Sequence, residues 1–161
     1  MRLILLSGVI FLSGCATTYQ PQGATGGFSN TALAPDVQSV RFAGNGYTSA
    51  EDAQDFAMLR AAELMREGGF PYFIVIGADA GASTATAYLP GSTTTTASAH
   101  MVGNTAYGQA TSYSSPGFAV PIRKPYTQVI VQGLTEKPAE GFAFETEFVI
   151  RSIKQKHIIP E

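Results

Sequence analysis

The chain has no tryptophan, one cysteine and two histidines in 161 residues, and only 14% of its residues are charged. A single cysteine excludes an internal disulfide, whatever the redox state of its compartment. The histidines, His100 and His157, are far apart and have no neighbouring cysteines, so no zinc-type spacing exists. A formal net charge of −2 argues against a nucleic-acid partner. No apolar run approaches the roughly 20 residues that cross a bilayer as a helix. Acid–base chemistry is thinly supplied. Asp79 follows a predicted strand but stands alone, and Asp52 and Asp55 read as dipole-matching acids in the first turns of a helix. Ser29, Ser49 and Ser83 lack a nucleophile elbow or a base partner. Residues 44–49 lack both a Walker lysine and a dinucleotide fingerprint. No catalytic, metal or cofactor site is expected, and the chain reads as non-enzymatic.

What is present begins with Met1-Arg2 and a short apolar stretch over residues 3–12, followed by Ser13-Gly14-Cys15. Such a segment is a targeting signal rather than a fold element. Leu12-Ser13-Gly14-Cys15 resembles the bacterial lipobox. The resemblance implies cleavage before Cys15, a diacylglyceryl thioether on its sulfur and an acylated amine. Several acyl chains together anchor stably where one binds only marginally. Ala16, where an inner-membrane lipoprotein often carries Asp, implies sorting to the periplasmic face of the outer membrane. Loss of residues 1–14 takes Arg2 with it and moves the formal net charge from −2 to −3. Residues 15–36, the lipidated cysteine followed by small, polar and turn-forming residues, read as a flexible tether. Residues 37–161 then form a single domain.

The expected fold class is α+β: a small mixed sheet with one main packed helix in a β-α-β core, a β-hairpin-like excursion and a C-terminal strand or helix. Residues 37–42 read as a strand and Gly44-Asn45-Gly46 as a tight turn. Thr48 with Glu51, or Ser49 with Asp52, offers a capping box, and Gly68-Gly69 ends the helix. At 100° per residue, Ala50, Ala53, Ala57, Ala61 and Leu64 make an alanine-rich stripe suited to close approach to a sheet. Phe56 and Leu59 lie to one side of it, with Met58 and Met65 on its other flank. These side residues are either covered by further elements or, for Phe56 and Leu59, form an interaction surface. Arg60 borders the stripe within reach of Glu63 and Glu67, a clamp at the helix–sheet border. Residues 70–76 read as a buried strand that, adjacent to the first, closes the β-α-β unit. Residues 126–131 read as a further strand, with Thr127, Val129 and Val131 on one face. In residues 141–156, Phe142, Phe144, Phe148 and Ile150 fit a period of two. The acids early and lysines late fit a helix from about Phe144.

Between Ala80 and Ile122 there is no Asp, Glu, Lys or Arg. Alternation is weak before Pro90-Gly91 and clearer through Tyr107, Gln109 and Tyr113. Three readings stand: a hairpin or loosely ordered excursion; a low-charge edge that pairs with another chain; or a glycan contact through tyrosines and hydroxyls. Tyr107 and Tyr113 are the candidate contact residues there.

The segments Val40-Arg41-Phe42-Ala43-Gly44-Asn45-Gly46-Tyr47-Thr48-Ser49, Leu59-Arg60-Ala61-Ala62-Glu63-Leu64 and Gly69-Phe70-Pro71-Tyr72-Phe73 resemble a family of small bacterial outer-membrane-type lipoproteins of unassigned activity. The resemblance covers residues 40–77 and extends to 126–153. It implies localisation and fold, and carries no catalytic residue. The expected function is an envelope structural or protein-interaction role, through a protein partner or self-association. Cell-wall glycan binding or processing, involving Asp79 or His100, and an oligomeric shell built by edge pairing are the alternatives.

Overall fold

The computed structural model describes residues 16–160. Cys15 and the signal segment 1–14 lie outside them. The described residues form two compact units: unit 1, comprising 16–83 and 124–160, and unit 2, Thr84–Arg123. The fold is mixed α+β. Its elements are β1 (Gly27–Ala34), β2 (Val37–Ala43), α1 (Ala50–Glu67), β3 (Tyr72–Leu89), β4 (Ser92–Val102), β5 (Thr105–Ser115), β6 (Phe118–Leu134), β7 (Phe144–Glu145) and α2 (Thr146–His157).

Unit 1 holds a five-stranded sheet in the order β1-β2-β6-β3-β7. β2 pairs with both β1 and β6 antiparallel, placing Val40 opposite Asn30 and Val129. β6 thus sits between β2 and β3. This corrects the expectation that the strands flanking α1 are neighbours; the β-α-β unit is split by a strand from late in the sequence. Along β3 and β6, Gly77 lies against Ile130 and Gly81 against Tyr126, so one index rises as the other falls and the pair is antiparallel.

The inward face of β6 is the one its alternation predicts: Thr127, Val129 and Val131 are buried. They join Val40, Phe42 and Phe73 beneath the helices. Ser49 and Asp52 form the full capping box of α1, and its C-terminus closes with Gly68 N–H donating to the Leu64 carbonyl and Gly69 N–H to the Arg66 carbonyl. The buried arc of α1 is wider than the alanine stripe. Phe56 and Leu59 are 7% and 0% exposed, and Met65 is buried on the other flank. These two residues are core and not an interaction surface. The reason is a second layer of cover: the Tyr19 ring lies tilted against Phe56 with centroids 5.7 Å apart, and α2 packs alongside α1 with Val149 and Ile150 buried.

Residues 16–36 do not behave as a tether. Thr17 is 3% exposed. Its N–H donates to Thr48 Oγ1 at 3.2 Å, its hydroxyl donates to the Thr25 carbonyl, and Asn45 N–H donates to that hydroxyl. Residues 27–34 are strand β1, whose start pairs back on the segment through Phe28 N–H to the Gln20 carbonyl at 2.8 Å. The glycines and prolines here build docked turns rather than slack; composition alone does not separate the two. The C-terminal ambiguity resolves into both answers in sequence. Phe144-Glu145 pairs with Tyr72 and Phe73, and the helix starts at the next residue. Thr146, 1% exposed, pins that junction by donating its hydroxyl to the Phe70 carbonyl at 2.8 Å.

Unit 2 carries the hairpin of β4 and β5, paired without interruption from Ser92↔Ser115 to Val102↔Thr105. Gly103, at φ +61°, takes the first position of the two-residue loop, where primed hairpin turns demand positive φ.

Candidate functional site

The hairpin of unit 2 sorts its residues by face. Successive side chains alternate, and directly paired residues share a face. One face carries Thr94, Thr96, Ser98, His100 and Val102 of β4 opposite Tyr113, Thr111, Gln109, Tyr107 and Thr105 of β5. The stacking of His100 on Tyr107, with centroids 5.9 Å apart, shows the pairing at work. The other face carries Thr93, Thr95, Ala97, Ala99 and Met101 opposite Ser114, Ser112, Ala110, Gly108 and Ala106. Its hydroxyls are joined in cross-strand pairs, Thr93–Ser114 at 3.0 Å and Thr95–Ser112 at 2.8 Å. Every residue of both strands is exposed, Tyr107 and Tyr113 at 54% and 73%. The two strands form a sheet of their own, so each has a free edge among the described residues. A two-stranded hairpin open on both faces is marginal by itself in water. The arrangement therefore offers strand edges, hydroxyls and small apolar groups, with no charge to repel a neighbour.

Unit 1 contains a groove of about 940 Å3 between α1, α2 and the sheet. Met58, Val75, Val129, Phe144, Phe148 and Ile153 supply its apolar lining, and Asp55, Asp79, Lys137 and Glu145 its charges. Asp79 is thus placed in a concavity, while His100 lies on the hairpin of the other unit. Asp55 is already engaged: Lys156 Nζ donates to it at 2.8 Å and His157 Nε2 lies 2.7 Å away. Burial works to raise the Asp55 pKa, but hydrogen bonds and charge from Lys156 and His157 outweigh it and hold the carboxyl below its ordinary value. His157 is therefore not isolated, as its place in the sequence suggests. It packs on Phe56 with centroids 4.7 Å apart and ties the end of α2 to the first turns of α1. Lys156 also pairs with Glu51, and together the two acids raise its pKa.

Arg60 and Glu63 are brought together at the helix–sheet border. Arg60 meets Glu63 at 3.4 Å and Glu67 at 3.1 Å, and its guanidinium lies 5.0 Å over the Phe28 ring. Glu63 also accepts a hydrogen bond from Tyr19. Burial, then that hydrogen bond and the carboxylate charge, push the Tyr19 hydroxyl far above its ordinary pKa. The Arg60–Glu63 pair thus helps fasten the N-terminal segment, a role that sequence spacing within α1 cannot reveal. Thr17, Tyr19 and Thr146 are the structural residues sequence reasoning missed; their only signal is a hydroxyl within a turn-rich or ambiguous stretch.

Among the described residues no group of three or more His, Cys, Asp or Glu is placed to hold a metal ion. No helix among them is long and apolar enough to cross a membrane. Comparison with protein-family models, with curated proteins and with solved structures finds no match to this chain.

Proposed function

We propose that this protein is a non-enzymatic lipoprotein, anchored through Cys15 at the periplasmic face of the outer membrane, that serves the envelope by associating with other protein chains. The lipobox-like Leu12-Ser13-Gly14-Cys15 supports the anchor, and the resemblance to small lipoproteins of unassigned activity supports the setting. The observation that carries the association is the hairpin: two free-edged, uncharged strands of 11 residues each, with no residue covered. Exposed edges of this kind are templates for pairing. Native proteins blunt such edges with lysine or proline; here neither interrupts β4 or β5.

Two measurements test this. Cell fractionation of Cys15→Ser is expected to move the protein from the membrane to the soluble periplasmic fraction, with its thermal unfolding unchanged. Crosslinking in cells from exposed hairpin positions such as Gln109 is expected to trap protein adducts; crosslinks confined to unit 1 positions would remove the hairpin from the role. A second reading, cell-wall glycan binding or processing, is favoured by one observation, the groove that holds Asp79 and Glu145. Titration with soluble peptidoglycan fragments separates it, since Asp79→Asn would weaken that binding and leave the crosslinks intact.

A further inference from the structure

The two faces of the β4–β5 hairpin differ in a way that edge pairing alone does not require. Ala97, Ala99, Met101, Ala106, Gly108 and Ala110 cluster on one face toward the tip. The remaining hydroxyls of that face are satisfied by each other across the strands, Thr93 with Ser114 and Thr95 with Ser112. Paired hydroxyls cost far less to move into an apolar medium than free ones. The opposite face keeps its threonines, His100 and Gln109 open, with no cross-strand hydroxyl pair among its bonds. This is the period-two division of a strand with lipid on one side and water on the other. The length agrees: each strand has 11 residues, and a tilted β-strand crosses the hydrocarbon core in roughly 9–11. No charge falls within it, and the exposed Tyr88 and Phe118 stand just outside β4 and β5, where interfacial aromatics are found in membrane barrels.

A lone hairpin cannot remain in hydrocarbon, because its edges would leave backbone N–H and C=O groups unpaired; closure into a barrel removes them. We infer that hairpins from several copies of this chain join edge to edge into a membrane-spanning β-barrel, with the alanine-rich face toward lipid and the hydroxyl face lining a water-filled lumen. The inference rests on the association proposed above and adds the bilayer as the surface the hairpin meets.

The test is reconstitution of the full lipidated chain into planar bilayers of phosphatidylethanolamine and phosphatidylglycerol, with native mass measured in parallel. Wild-type protein is expected to form a discrete oligomer and to give stepwise conductance. Ala99→Asp, on the lipid face, is expected to lower the frequency of steps at least tenfold. Ser98→Asp, its neighbour on the opposite face, is expected to keep the steps and shift the reversal potential toward cation selectivity. Circular dichroism checks that both variants fold. An oligomer that never conducts would overturn the barrel and leave the association standing, whereas a monomer that never conducts would overturn both. Equal effects of the two substitutions, or no effect of either, would overturn the assignment of faces. Conductance by Cys15→Ser protein would dispense with the anchor and keep the barrel.

Discussion

In unit 1 the inward residues of β6, Thr127, Val129 and Val131, are at most 5% exposed beneath two helices, whereas in unit 2 every residue of β4 and β5 is open. Both regions use antiparallel pairing, but their side chains supply different driving forces. Unit 1 gathers Phe42, Leu59, Phe73 and Val131 into one buried cluster, and burial of such groups contributes about 1.5–3 kcal/mol each. Unit 2 spends its sequence on threonine, serine, alanine and glycine, which return little on burial. Backbone pairing gives a hairpin its geometry, but two strands alone are only marginally stable in water. Unit 1 holds a buried core, and the β4–β5 hairpin holds none.

The strongest way to break that contrast is to damage each region and compare. Leu59→Ala, at a position with no exposure, is expected to lower the stability of unit 1 by about 2–5 kcal/mol in urea unfolding. Thr95→Ala in the hairpin should leave the same transition within about 0.5 kcal/mol. A comparable loss from Thr95→Ala would show that the hairpin supports unit 1 and would end the distinction. Arg60→Ala comes next. It removes two ion pairs and the contact over Phe28, and should cost about 1 kcal/mol in thermal unfolding. Arg60→Lys should recover only part of this, because a point charge cannot reproduce the planar guanidinium on the ring.

The contrast also explains what was legible in the sequence. Helix α1, a capping box at Ser49–Asp52 or at Thr48–Glu51, and its stop at Gly68 are local signals that were readable nearby, and the structure uses Ser49 with Asp52. The alternation of β6 was likewise readable, because one of its faces is buried. What escaped depends on distant partners. Nothing near residues 118–134 says that they insert between β2 and β3, and nothing near His157 points to Asp55, 102 positions earlier. Tyr19 and Thr17 looked like tether because glycine and proline serve both slack chain and docked turns. Phe56 and Leu59 stood open to either reading, covered or available, because the helix wheel knows nothing of α2 or Tyr19, and the structure covers them. The groove around Asp79 is assembled from segments far apart in the chain and left no local trace. In the hairpin, alternation through Tyr107, Gln109 and Tyr113 was readable, but which face meets what was not written in any single residue type.

A pH titration sharpens the comparison further. Asp55 is held below its ordinary pKa in the folded protein, as the hydrogen bonds of Lys156 and His157 overcome its burial. A carboxyl lowered on folding stabilises the fold above its unfolded pKa, and that contribution disappears as pH falls through the lower, folded value. Unit 1 should therefore lose stability progressively below about pH 4. Asp55→Asn should flatten that limb. The hairpin has no Asp or Glu between Ala80 and Ile122, so pairing within it should not share this slope.

The smallest effect on global stability is expected at the hairpin tip. Gly103 sits at φ +61°, with no atom within 4 Å of where a Cβ would stand. Gly103→Ala therefore meets no clash, and its cost, about 1 kcal/mol, comes from the left-handed backbone alone. Because each hairpin is marginal, that amount should lower amide hydrogen-exchange protection along β4 and β5 in the unassembled protein. The denaturation midpoint of unit 1 should not move. In the assembled protein neighbouring strands would hold the same amides, and the loss of protection should shrink as oligomer forms. A loss that stays the same at every concentration would mean that the strands gain nothing from one another, and the proposed association through unit 2 would fall with it.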